Sequence, residues 1–376
     1  MAFALTGARL FDGEAIRSAA AVVIDGARII DVTAENRVPA GVERRELSGG
    51  LLAPGFIDVQ VNGGGGALLN GDPSAATVRR IAEAHRKFGT TGLLPTVITD
   101  APEILDRAIA AVRQARLQGV AGVLGIHIEG PFLDPARKGA HEARFIRPLG
   151  DADMTKLSQA DCGAVMLTLA PNKVAPEAIG KLAAAGLLVS LGHSDATAAE
   201  AQAALAAGAR SFTHLFNAMS QMTGREPGMV GAALGDAGSY CGLIADGHHV
   251  HDAALKVALA AKPRDRMILV SDAMPTAAGG PDRFELQGRT VTRRNGRLQL
   301  DDGTLAGSNL TMDEGVRYCT QRLGVSLEDA LRMASLNPAA FLKRDHELGR
   351  IASGYLASLV HLSDDLRVQQ SWIDGK

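Results

Sequence analysis

From about residue 56 onward the apolar positions fall in short blocks, and between the blocks lie longer Ala-rich segments whose apolar residues recur at helical spacing. Blocks that short, apolar throughout rather than alternating with polar residues, read as parallel strands buried on both faces. The pattern predicts strands over 56–61, 93–98, 123–129, 164–169, 187–192, 210–214, 242–246 and 267–272, eight in all. Helices over 75–88, 102–117, 176–185 and 197–207 lie between them, often with a Gly just past the end. Eight successive β-α units specify an α/β fold, a TIM-type (β/α)8 barrel, whose site lies at the C-terminal ends of the strands.

The two ends of the chain follow another pattern. Short strands are predicted over 2–6, 20–25 and 28–32, the last two joined by an Asp25-Gly26 turn. Past Asp272 the segment 279–307, with Arg294-Asn295-Gly296-Arg297 as a turn, reads as an inserted hairpin. Helices over 311–323, 326–335 and 337–343 follow, and strands over 357–361 and 366–373 return to the N-terminal region. The expected organisation is a small β-sandwich built from residues 1–53 and 344–376, with the barrel over 54–343.

Composition narrows the function. A chain of 376 residues that is 46% hydrophobic can bury a large core. A net charge of -2, with signs interspersed, offers no basic surface for nucleic acid, and 4% aromatic residues leave few stacking platforms. Three cysteines, Cys162, Cys241 and Cys319, have no metal-type spacing and are odd in number, which favours free thiols in a reducing compartment. No apolar run reaches membrane-spanning length and the start lacks a basic, then apolar leader, so a cytoplasmic location is expected.

Candidate chemistry gathers at the predicted strand ends. The run Val123 to Phe132 carries Glu129 to the mouth of the third strand, the fifth ends at His193, and the sixth carries His214. One carboxylate and two imidazoles with a position left for water is the donor set of a catalytic zinc site, not a closed structural one. Gln60, Asn62, Asn172, Asp246 and Asp272 stand at other strand ends, and seven of the ten histidines (127, 141, 193, 214, 248, 249, 251) fall in one stretch. Side chains at that face of a barrel point into the mouth.

Several segments, taken in order, resemble one family. Pro54-Gly55-Phe56-Ile57-Asp58, His127-Ile128-Glu129-Gly130-Pro131, Gly192-His193-Ser194, Thr213 to Met219, Gly224-Arg225-Glu226-Pro227-Gly228, Ala245 to Val250 and Ser271-Asp272-Ala273 are similar to the N-acetylglucosamine-6-phosphate deacetylases of the amidohydrolase superfamily. The resemblance implies Glu129, His193 and His214 as metal ligands, Asp272 as the catalytic acid/base and His141 as the group that polarises the amide carbonyl. It places Asn217, Ala218, Arg225 and His249 at the sugar phosphate, in a homodimer where Arg225 and His249 reach the neighbouring subunit's site. His248 and His251 fit the motif less well and read as surface or helix-start residues.

Many superfamily members carry His-x-His at the end of the first strand, where this chain has Gln60-Val61-Asn62. Amides are poor zinc ligands beside imidazole, and no lysine lies in 164–169 to bridge two ions, so the resemblance is to the one-metal branch. Whether a weak second site survives near Gln60 and Asn62 stays open. One divalent metal per subunit is expected, zinc before other transition metals. Competing readings are the galactosamine epimer as substrate, a cyclic-amide hydrolase or nucleobase deaminase, and a catalytically dead scaffold. The scaffold has no use for Glu129, His193, His214 and Asp272 together.

Overall fold

The computed structural model describes residues 2–376. Its central sheet has eight parallel strands in sequence order: Phe56–Val61, Thr90–Ile98, Gly125–Glu129, Ala164–Leu169, Leu188–Leu191, Ser211–Phe212, Tyr240–Leu243 and Met267–Leu269. The sheet closes on itself beyond the last strand, where Val61 bridges Ala273 and the Asp272 N–H donates to the Gln60 carbonyl at 2.9 Å. This is the expected (β/α)8 barrel.

Helices surround it where apolar spacing placed them. Ala75–Arg86 starts at Ser74, whose hydroxyl accepts from the Thr77 N–H, and Ala198–Ala206 starts at Thr197 with a reciprocal Glu200 contact. Pro102–Leu117 and Pro176–Ala184 open on proline, which lacks the N–H a first helical turn leaves unpaired. One buried cluster, including Leu93, Val112, Ile126, Leu167, Ile179 and Leu191, fills the space between strands and helices. A second, with Ile57, Val59, Leu94, Met166, Ile268 and Phe341, includes the alternate strand positions. Closer to the mouth, interior positions turn polar: His127 bonds Thr168 at 2.8 Å, and Thr213 bonds both Thr168 and Ser190 at 2.7 Å.

Strands from both chain ends build two further sheets. One orders Arg28–Ala34, Ala20–Asp25, Phe3–Thr6 and Glu43–Glu46; the other orders Val368–Trp372, Leu359–Leu362, Leu51–Pro54, Arg9–Phe11 and Ile16–Arg17. Phe3, Leu5, Leu10, Ile24, Leu359 and Trp372 pack between them, giving the expected sandwich.

Two details differ from expectation. The insertion is not a single hairpin but three antiparallel strands, Arg283–Leu286, Arg289–Arg294 and Arg297–Gln299, because Gln287-Gly288 makes a second turn with both residues at positive φ. The fifth, sixth and eighth barrel strands also stop short of His193, His214 and Asp272. Each of these three residues has a positive φ (48°, 30° and 52°), which cannot continue a β ladder.

Candidate metal centre and its cavity

Glu129 ends the third barrel strand, while His193 and His214 occupy the left-handed residues that follow the fifth and sixth. Holding a non-glycine residue there costs on the order of 1–3 kcal/mol and persists where the surroundings demand it. Here it turns both rings toward Glu129. Glu129 Oε1 lies 3.2 Å from His193 Nε2 and 3.0 Å from His214 Nε2, and the two Nε2 atoms are 3.0 Å apart. All three residues are at least nine-tenths buried.

The residues fit a cation on chemical grounds. His193 Nδ1 lies 2.9 Å from the Arg137 carbonyl, an acceptor, so the ring's proton is there and Nε2 presents a lone pair. That lone pair faces a carboxylate oxygen and a second ring nitrogen. The His193 lone pair and the Glu129 oxygen, two acceptors 3.2 Å apart, repel unless a positive charge lies between them. Zinc bonds of about 2.0–2.1 Å give tetrahedral edges of about 3.3 Å, close to the spacings seen.

Asp272 stands beside this trio. Its Oδ1 accepts from Asn62 Nδ2 at 2.7 Å and from Gln60 Nε2 at 3.2 Å. Burial, reinforced by the Glu129 charge, pushes its carboxyl up to about 6. Beneath it Asp58 ties the first strand to the eighth, accepting from the Gln60 and Ser271 N–H groups at 3.2 Å, and burial pushes that carboxyl up to about 7. His141 packs edge-on to His193 with ring centroids 4.3 Å apart, and its Nδ1 lies 2.8 Å from Thr99 Oγ1. Burial, then the nearby His193, holds it well below the usual histidine range, so it is neutral.

Glu129, His141, His193, His214 and Asp272 line one cavity of about 400 Å³, together with Asn62, Asn217, Ala218, His249, Ile98, Met274 and Leu305. Of the predicted site residues, Glu129, His193, His214, Asp272, His141, Asn217, Ala218 and His249 are therefore together. Arg225 is not: it is exposed on the loop before the helix Gly228–Gly235 and does not line this chain's cavity. His249 departs from expectation. It was expected at the neighbouring chain's site, yet its Nδ1 bonds Asp246 at 2.7 Å and its ring lines the cavity of its own chain.

The remaining histidines separate cleanly. His127 lies inside the barrel between Thr96 and Thr168, pushed down to about 4 by burial, and does not line the cavity. His251 caps the helix Asp252–Ala261 by accepting from the Ala253 N–H, and His248 lies against Gly296 and Arg297. Sequence reasoning missed Thr99, the Arg137 carbonyl and the segment Thr304, Leu305, Gly307. Only Gly307 carried a signal: its φ is +64°, and a Cβ there would lie 2.6 Å from Met274 Cγ and 2.9 Å from the Asp272 carbonyl oxygen.

A carboxylate and two imidazoles at the mouth of an eight-stranded barrel, with a separate buried aspartate alongside, define the class of metal-dependent hydrolases. Residues 51–376 match the Amidohydrolase family and residues 2–52 the NagA composite domain. An N-acetylgalactosamine-6-phosphate deacetylase of Shewanella sp. (strain ANA-3) is 44% identical over 330 residues, 88% of this chain and 84% of its own. The N-acetylglucosamine-6-phosphate deacetylase of Homo sapiens is 39% identical over 376 residues, 94% of this chain and 90% of its own. The crystal structure of N-acetylglucosamine-6-phosphate deacetylase from Pasteurella multocida superposes with a TM-score of 0.97 at 35% identity, covering 100% of this chain and 99% of that one. The chain belongs to the amidohydrolase family, within its branch of amino-sugar-phosphate deacetylases.

Proposed function

We propose that the protein hydrolyses the N-acetyl group of N-acetylglucosamine 6-phosphate, giving glucosamine 6-phosphate and acetate. The observation that carries this reading is the convergence of Glu129, His193 and His214 on one point beside Asp272, at a cavity large enough for a small ligand. A divalent ion held by those three residues, zinc by its preference for this donor set, would acidify water and stabilise the oxyanion.

The chain's own residues do the rest. Asp272 takes the proton of the attacking water and returns it to the departing nitrogen, since an amide expels its amine only when that nitrogen is protonated. Thr99 Oγ1 donates to the Glu129 carbonyl at 3.2 Å and lies 2.8 Å from His141 Nδ1, which fixes the His141 ring at the cavity wall, where it polarises the substrate carbonyl. His249 and the Ala218 N–H, which meets no acceptor among the described residues, receive the phosphate, and Asn217, whose side chain donates to the His214 and Leu215 carbonyls, holds that turn in shape. Arg225, exposed and outside its own cavity, fits a role at the neighbouring chain's phosphate in a homodimer, where its planar fork suits phosphate oxygens. The three cysteines are free and buried and no helix is long and apolar enough to cross a membrane, which supports a cytoplasmic enzyme.

The 44% identity to an N-acetylgalactosamine-6-phosphate deacetylase favours a second reading, the same reaction on the epimer. Acetate release from both phosphates, by the zinc-loaded protein and after chelation, tests both. The expected result is turnover of the glucosamine compound at the higher kcat/KM, abolished by chelation. Preference for the epimer would replace the substrate; no release from either would overturn the reaction.

A further inference from the structure

Two amides lie against the carboxylates of the site. Gln60 Nε2 is 3.3 Å from both oxygens of Glu129 and 3.2 Å from Asp272 Oδ1, and Asn62 Nδ2 donates to that same Oδ1 at 2.7 Å. Buried carboxylates so placed repel each other, and a neutral N–H donor between them is attracted to both. The orientation of Asn62 is fixed by its neighbour: exchanging its oxygen and nitrogen would set an amide oxygen against a carboxylate oxygen at 2.7 Å. Its own Oδ1 is left buried with no hydrogen-bond partner among the described residues. A native site tolerates such an orphan when the other end of the side chain is needed.

The backbone reinforces the arrangement. The Gln60 carbonyl accepts from the Asp272 N–H, and the Asn62 N–H donates to the Ala273 carbonyl, each at 2.9 Å. Both amide residues are only 1% exposed. Their side chains therefore have little freedom to turn away.

We infer that Gln60 and Asn62 are positioning residues for proton transfer: by holding Oδ1 of Asp272 they leave Oδ2 as the single oxygen that exchanges the proton with water and the leaving nitrogen. Oδ2 has no hydrogen-bond partner among the described residues, and Asp272 lines the cavity. The Gln60-Val61-Asn62 segment is then more than a lost metal site. It supplies with neutral donors the restraint on Asp272 and Glu129 that a second cation would supply by charge. This rests on the reading of Asp272 as the proton carrier.

The test is a double-mutant comparison on metal-loaded protein: Asn62→Leu, Asp272→Asn and the pair together, with kcat, KM, metal content and melting temperature measured for each. Asn62→Leu should lower kcat about 10- to 100-fold, with KM and metal content close to wild type, as a misaligned proton carrier would. In the Asp272→Asn background the same change should cost less than about threefold, because no base remains to be aligned. An equal fall in both backgrounds, loss of metal in step with activity, or a single variant within about threefold of wild type would overturn the positioning role. If Asn62→Leu fails to fold, Asn62→Ser, smaller and still polar, carries the same comparison. Should Asp272→Asn itself turn over like wild type, the assignment of Asp272 falls and this inference with it. An inactive Asp272→Asn beside a fully active Asn62→Leu removes the positioning role alone.

Discussion

His193 and His127 show what decides the fate of a residue type. Both are buried histidines on the barrel, but His193 sits past a strand end on left-handed backbone with its Nδ1 tied to the Arg137 carbonyl, so its Nε2 points at Glu129. His127 lies within the third strand, two residues before Glu129, and both its nitrogens are satisfied by threonines. The motif His-Ile-Glu-Gly-Pro made the Glu legible, and the strand-end position with the family resemblance singled out His193 over His127; the structure adds the reason, since only His193 keeps a ring nitrogen free for the centre. Removing one of three ligands should therefore matter at His193 and not disturb the barrel core. His193→Ala is expected to lose nearly all tightly bound metal and activity together while keeping its circular dichroism spectrum. Elemental analysis returning one ion per chain for that variant would show that the centre lies elsewhere.

At the scale of elements, four barrel helices were legible, since their apolar spacing and their Ser, Thr or Pro starts are local signals; the helices Asp151–Ser158, Gly228–Gly235 and Asp252–Ala261 were not placed from the sequence. Strand ends were less so. A run of apolar letters continues through Leu191 toward His193, but the ladder stops where φ turns positive. The insertion was least legible, because exposed hairpins carry turn signals and little periodicity. Its three strands share a small core of Leu286, Val291 and Leu298 with Ile98 and Met274, two residues of the cavity wall. Thr304, Leu305 and Gly307, which follow its last strand, line the same cavity. Leu298→Ala should thus act locally, with about 2–5 kcal/mol of packing lost in that cluster. A raised KM, with kcat and metal content kept and the main melting transition little changed, is the expected result. An unchanged KM would mean the insertion does not shape the cavity.

For the whole molecule the open question is how many chains make one site. Arg225 lies outside its own cavity and His249 inside it, so the two phosphate candidates belong to different chains on the proposed reading. Coexpressing Asp272→Asn chains with Arg225→Ala chains separates the cases. In a hybrid dimer the site on the Arg225→Ala chain keeps its own Asp272 and receives an intact arginine, so with random pairing about a quarter of all sites should work fully at low substrate. Activity no higher than the average of the two parents would place Arg225 in its own site. The sequence by itself determined the alternation of strands and helices, the acidic and imidazole groups at strand ends, and the absence of His-x-His, because periodicity and residue chemistry are written locally. Only the tertiary structure decided how the His193 and His214 rings are turned onto Glu129, which chain's cavity His249 lines, and that Gln60 grips Asp272 from 212 residues away. Those outcomes depend on how the barrel closes: the first and last strands become neighbours only when all eight are in place, and no short window of sequence contains both.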